Sequence, residues 1–170
     1  MSFSLDIKNF VEKCGKNADL VVKKTVIDMF SSIVKKSPVG NPELWASLGA
    51  SYRLYSIRGN KLLKTPKVQF RNQPPPGYVG GHFRANWQLN INAIPINEVD
   101  GIDKSGTRTI SKAVSNIPAK AAGNVYYIAN NLPYAQRLEE GWSTQAPFGM
   151  VGLTILEFQN YIESALAGLR

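Results

Sequence analysis

Between Ile7 and Ile33, apolar residues return every three or four positions: Ile7, Phe10, Val11, Cys14, Ala18, Val21, Val22, Val26, Met29, Phe30 and Ile33. Such spacing places them along one side of a helix, and a stripe of that length needs other elements to lie against. The pattern predicts a helix over about 5–36, with Ser4 as N-cap and Asp6 in the first turn. Lys35 and Lys36 stand where a helix C-terminus favours cations, and Pro38 ends the pattern. Gly15 and Asn17 weaken the middle, leaving a kink or two shorter helices as alternatives. Cys14 lies on the stripe and reads as a buried, inert thiol. As the single cysteine it excludes an intramolecular disulfide and a cysteine-based metal cage, and it fits a reducing compartment.

The remainder of the chain supplies the partners. With 170 residues and 44% hydrophobic content, it suits one domain with a real core, and 10% aromatic content is too high for a disordered chain. The first dozen residues carry charges and lack the form of a secretory signal, and no run reaches the roughly 18 apolar residues of a membrane span. A soluble intracellular product is expected, with no membrane partner.

Phe83, Ala85, Trp87, Leu89 and Ile91 alternate with Arg84, Asn86, Gln88, Asn90 and Asn92, predicting a half-buried strand over about 83–92. Thr109 to Val114 reads as a short helix, with Ile110, Ala113 and Val114 on one face. Asn124 to Ala129 suits a second strand by its aromatic and β-branched content. A final helix is expected over about 147–168, with Pro147 in its first turn and a stripe of Val151, Ile155, Phe158, Ile162 and Leu166. The fold class that follows is α+β: a small antiparallel sheet packed against a long N-terminal helix and a C-terminal helix. The expected organisation is a single domain over 1–170, with the helix at about 5–36, a loop or insertion at about 37–82, sheet and short helix at about 83–146, and the last helix at about 147–168.

No catalytic constellation is present. The sequence has no phosphate-binding glycine loop and no nucleophile elbow. The lone His82 reads as a solvated turn residue. Glu139 and Glu140 are adjacent, whereas a glycosidase needs two acids across a cleft. Glu98, Asp100 and Asp103 lack the calcium-loop pattern and read as a solvated acidic loop. The expectation is a protein that is not an enzyme, with no cofactor and no metal.

The charge pattern points elsewhere. Twenty Lys and Arg against 12 Asp and Glu leave +8, and no acid occurs between Glu43 and Glu98. Arg53, Arg58, Lys61, Lys64, Lys67, Arg71 and Arg84 fall in that interval, interleaved with Tyr52, Tyr55 and Phe70. Cations that touch phosphate and aromatic faces on which bases stack suit a sequence-independent contact with nucleic acid, at about 1–3 kcal/mol per stacked base. Within this mostly looped stretch, Leu54 to Ser56 and Val68 to Phe70 are able to pair across the turn signal Arg58-Gly59-Asn60. The prolines 74–76 are expected to make a stiff spacer at its end.

Two blocks of sequence carry a resemblance. One joins Ser37-Pro-Val-Gly to Gly80-Gly-His-Phe-Arg-Ala-Asn-Trp87; the other is Tyr134-Ala-Gln-Arg-Leu-Glu-Glu-Gly-Trp-Ser-Thr-Gln-Ala-Pro-Phe-Gly-Met150. Together, and in this order, they resemble the bacteriophage tail-component and neck protein family. Residues about 46–73 depart from that pattern and look like an insertion. The resemblance implies a non-enzymatic virion protein of a tailed phage, made in the host cytoplasm and placed at the head–tail junction. It would be a neck, head–tail connector, tail-completion or tail-terminator subunit that assembles as a homo-oligomeric ring.

Its implied partners are further copies of itself, portal-side or tail-tube proteins, and genomic DNA through non-specific contact. Gly80, Gly81, Gly141 and Pro147 would then be structural turn residues, with Pro147 starting the last helix, and Trp87 would anchor the sheet to the helices. Tyr134, Arg137, Trp142 and Gln145 become candidates for a subunit or partner interface. A cyclic ring needs one patch that meets a different patch on the next copy, and the region 134–150 and the first helix are the candidates for those two patches. The basic residues Arg53, Arg58, Lys61, Lys64, Lys67 and Arg71 are candidates for DNA or partner contact. The alternative is a sequence-independent nucleic-acid-binding module that uses the basic stretch 53–84.

Overall fold

The computed structural model describes residues 3–40, 51–54, 57–58, 61–62, 67–70 and 79–169. The chain forms two compact units: Met1–Val39 with Gly81–Arg170, and Gly40–Gly80.

The first unit is α+β and is organised by helix α1, Phe3–Lys36. Its 34 residues rise about 50 Å at about 1.5 Å each, longer than the roughly 30 Å breadth of a small domain. One end must therefore overhang. The C-terminal half is covered: Phe30, Ile33 and Val34 are buried, with Val22, Val26 and Ile27 packed around them. Residues 7–16 are exposed throughout, Cys14 among them, so the expectation of a buried thiol is corrected. The helix runs unbroken through Gly15 and Asn17, and Ser4 lies within it rather than at its cap.

After α1 the unit resumes with a short helical turn, α2 (His82–Ala85), then β5 (Trp87–Ile91), α3 (Thr107–Asn116), β6 (Tyr126–Asn130), α4 (Ala135–Glu139), α5 (Val151–Leu156) and α6 (Phe158–Ala167). β5 and β6 are antiparallel, with Trp87 opposite Asn130, Leu89 opposite Ile128 and Ile91 opposite Tyr126. Their inner face joins Phe30, Ile33 and Val34 of α1, Ala113 of α3, and Ala146 and Met150 in one core. Trp87 ties sheet to helix: its indole N–H donates to Ser37 Oγ at 2.7 Å, and Ser37 Oγ donates to the Ile33 carbonyl at 2.7 Å.

Two expectations change here. The strand expected over 83–92 is confined to Trp87–Ile91, because the chain before it closes a helical turn through Ala85 N to Gly81 O and Asn86 N to His82 O. Burial of Phe83 and Ala85 imitates the strand alternation, but Asn86, which that alternation would expose, is 0% exposed. Its side chain both donates to the Val99 carbonyl and accepts from the Val99 N–H, at 2.8 and 2.7 Å. The final helix begins at Val151 rather than Pro147 and is divided at Glu157. Pro147 instead lies in the preceding turn, its carbonyl packed against Gly141.

The second unit contains two antiparallel pairs. β1 (Ser51–Leu54) pairs with β4 (Lys67–Phe70), and β2 (Ile57–Arg58) pairs with β3 (Lys61–Leu62). β2 and β3 flank the turn signal that the sequence carries, whose Gly59 and Asn60 lie outside the described residues.

Candidate functional site

Three charged side chains hold the loops of the first unit. Arg84 belongs to the acid-free stretch, yet it acts as a remote helix cap: its guanidinium donates to the carbonyls of Lys35 and Ser37 at the end of α1, both at 2.9 Å, and to the Lys104 carbonyl at 2.7 Å. The first two are carbonyls that a helix C-terminus leaves without internal partners. Burial lowers the guanidinium pKa, and the nearby Asp103 opposes that shift.

Asp103, expected in a solvated acidic loop, is 7% exposed. One carboxylate oxygen accepts from Ser105 Oγ and Gly106 N at 3.0 and 2.9 Å; the other accepts from Thr109 N and Oγ1 at 2.8 and 2.9 Å. These bonds satisfy the start of α3. Burial pushes the carboxyl pKa up, but the hydrogen bonds outweigh it and hold the group below its ordinary value. His82 is likewise more than a solvated turn residue: its Nδ1 lies 2.9 Å from the Gly101 carbonyl and its ring is half-buried.

The region 134–150 forms a braced ledge. Glu139 accepts from the N–H groups of Met150, Val151 and Gly152 at 2.9, 3.0 and 2.9 Å, so the carboxylate caps α5. Glu140 accepts from Gln136 at 2.9 Å. Gly141 sits at φ +85°, and a Cβ there would lie 2.4 Å from the Pro147 carbonyl oxygen, so the turn requires glycine. Gln145 clamps the ledge to the end of α1, with its Oε1 accepting from Val39 N at 3.0 Å and its Nε2 donating to Val39 O at 2.9 Å.

Aromatic side chains stand on this frame. Trp142 is 71% exposed, and the Arg137 guanidinium carbon lies 5.3 Å from its ring centroid, within cation–π range. Phe148 is 78% exposed. Tyr134 rests its ring against Phe83 at 6.0 Å between centroids. Of the four interface candidates, the structure brings Arg137 and Trp142 together and leaves Trp142 open. It commits the Gln145 amide to the protein's own backbone.

The second apolar surface is the overhang of α1. Ile7, Phe10, Val11 and Cys14 follow one another at helical spacing, and all are exposed. Phe10 is 67% exposed.

The basic candidates fall in the second unit. Arg53 lies in β1, Arg58 in β2, Lys61 in β3 and Lys67 in β4, with Arg58 and Lys61 directly opposed in register. Lys64 and Arg71 lie outside the described residues. Gly80 ends that unit in the chain, and Gly81 follows at φ +108° with its carbonyl accepting from Ala85 N and Asp103 N. Among the described residues no group of three or more His, Cys, Asp or Glu converges on a metal position, and no helix is long and apolar enough to cross a membrane. No protein-family model, curated protein or solved structure matches the chain.

Proposed function

We propose that this chain is a structural virion protein of a tailed bacteriophage, a neck, connector or tail-completion subunit that closes into a ring at the head–tail junction. The observation that carries the reading is the pair of unlike apolar surfaces on one braced unit: the overhanging stripe Ile7, Phe10, Val11 and Cys14, and the ledge that presents Trp142 and Phe148. Solvent-exposed aromatic and aliphatic groups in contiguous sets mark interaction surfaces. Two unlike patches suit a head-to-tail contact, in which the helix stripe of one copy lies on the ledge of the next and rotation closes the ring. In this reading the protein works by shape, and no residue has a catalytic role. Its excess of eight positive charges favours a polyanionic neighbour such as the passing genome.

Complementation of two variants tests the reading. Phe10→Ser removes one patch and Trp142→Ala the other, and both sites are exposed enough for the fold to survive, which circular dichroism verifies. Each variant alone should be monomeric by gel filtration with light scattering. An equimolar mixture should yield a heterodimer and no ring, since each variant retains the patch the other lacks. Rings formed by either variant alone would contradict the proposal.

The second reading is a sequence-independent nucleic-acid-binding module, favoured by the basic stretch. Filter binding over a salt series separates the two: a steep salt dependence for the monomer supports the module, and binding that appears only with the ring supports the connector.

A further inference from the structure

Four successive residues of β5, from Trp87 to Asn90, line a cleft of about 400 Å³ together with one face of α3. Side chains alternate between the faces of a strand. Four in succession border one cavity by presenting the strand's backbone edge to it.

The ladder with β6 identifies the groups on that edge. Asn92 N–H donates to the Val125 carbonyl at 2.8 Å, one step beyond the pairing of Ile91 with Tyr126. Hydrogen-bonding direction alternates along an antiparallel strand, so Asn90 and Gln88 also turn their main-chain groups toward β6. Trp87 and Leu89 turn theirs the other way, into the cleft. Among the described residues this sheet has two strands, and no hydrogen bond from across the cleft reaches the Leu89 main chain.

The opposite wall is cationic. Arg108 and Lys112 lie one turn apart on α3, both exposed, with Asp100 as the carboxylate on the lining. Arg108 is held by a 2.9 Å bond to the Ile102 carbonyl, whereas Lys112 makes no ion pair among the described residues.

We propose that this cleft is a strand-addition site for an extended, acidic segment of a partner protein. The segment's main chain pairs with Leu89 and Trp87, and its carboxylates face Arg108 and Lys112. An open strand edge reads N–H and C=O groups that alternate at regular spacing along an extended main chain, an array that the sugar–phosphate backbone of a nucleic acid lacks. A second copy is a poor donor: the stretch of alternating acids, Glu98-Val99-Asp100, is bonded through Val99 to Asn86 and itself lines the cleft, and Glu139 of the adjacent pair Glu139-Glu140 is engaged in capping α5. The site is separate from both patches of the proposed ring contact and does not depend on that reading.

The test uses the full chain, isotopically labelled, and short synthetic peptides. One alternates Val and Asp, a second alternates Val and Lys, and a third is the Asp peptide with alternate amides N-methylated. The Asp peptide should shift the amide resonances of Trp87 and Leu89 and slow Leu89 hydrogen exchange. The Lys and N-methylated peptides should bind at least about tenfold more weakly. Lys112→Glu, at an exposed position, should reverse the preference between Asp and Lys peptides. Absence of binding by the Asp peptide, equal affinity for all three, or shifts confined to other residues would overturn the proposal. A Leu89 amide that is protected without peptide and becomes exposed on dilution would overturn it too, by identifying a second copy as the occupant.

Discussion

Replacing Asp103 by Ala should destabilise the first unit by about 2–4 kcal/mol. The loss combines a helix N-cap, about 1 kcal/mol, with the desolvation of buried donors left without an acceptor, about 1–3 kcal/mol each before any water enters. The donors concerned are the N–H groups of Gly106 and Thr109, at 2.9 and 2.8 Å from the carboxylate in a buried pocket. Asp103→Asn should cost roughly half as much, because one oxygen remains to accept and the amide NH₂ faces Thr109 as a second donor. The assay is urea unfolding followed by far-ultraviolet circular dichroism, repeated from pH 7 down to about pH 3. The folded carboxyl titrates below its unfolded counterpart, whose pKa is near 3.9. Its contribution is therefore complete above about pH 5 and fades as the pH falls through the unfolded and then the folded value, so the gap between native chain and Asp103→Ala should narrow in acid. A cost below about 0.5 kcal/mol at pH 7, or a gap that stays constant with pH, would refute the capping role.

Other consequences follow from single residues. Thr25 carries the one buried side-chain polar atom without a partner among the described residues; Thr25→Val should stabilise by about 1 kcal/mol, read as a higher urea midpoint. Gly141→Ala forces an L side chain to φ +85° against the Pro147 carbonyl, and should cost at least about 2 kcal/mol in the same assay. Glu157 accepts hydrogen bonds from Lys36 and Tyr161, and these, with the Lys36 charge and against desolvation, hold its pKa below the ordinary range. Glu157→Gln should therefore lower the melting temperature by a constant amount above about pH 5, with the difference closing as the pH falls through the folded pKa and shrinking in added salt.

The long helix and the class of fold are legible in the sequence because each rests on a period. The stripe from Ile7 to Ile33 needs only a count of three and four, and the pairing of β5 with β6 follows from β-branched and aromatic runs. Where a stripe is covered is not a local property. Phe30 and Phe10 look alike in the pattern, yet one is the centre of the core and the other hangs beyond it, and only the breadth of the body against the length of α1 decides between them. The alternation from Phe83 to Asn92 misleads for a related reason: a helical turn and a strand both bury Phe83 and Ala85, and Asn86 separates them only through its bonds to Val99.

The site is less legible than the fold. Arg84 counts as one more cation in an acid-free stretch until its bonds to Lys35 and Ser37, 49 and 47 residues away, become visible. Asp103 and Glu139 resemble surface acids, and their helix-capping roles depend on loops that return to them. Nothing in the periodicity of the segment from Tyr134 to Met150 marks it as a ledge. Residue type alone does not separate an open Trp142 from a Gln145 already bonded to Val39.

The most direct test of the proposed ring is the native mass of the purified chain across concentration, with and without portal-side and tail-tube proteins of a tailed phage. A ring subunit gives one mass at a fixed multiple of the protomer, unchanged on further concentration and able to take up those neighbours. A protomer mass at every concentration, with or without them, or an open ladder of growing oligomers, would contradict the account.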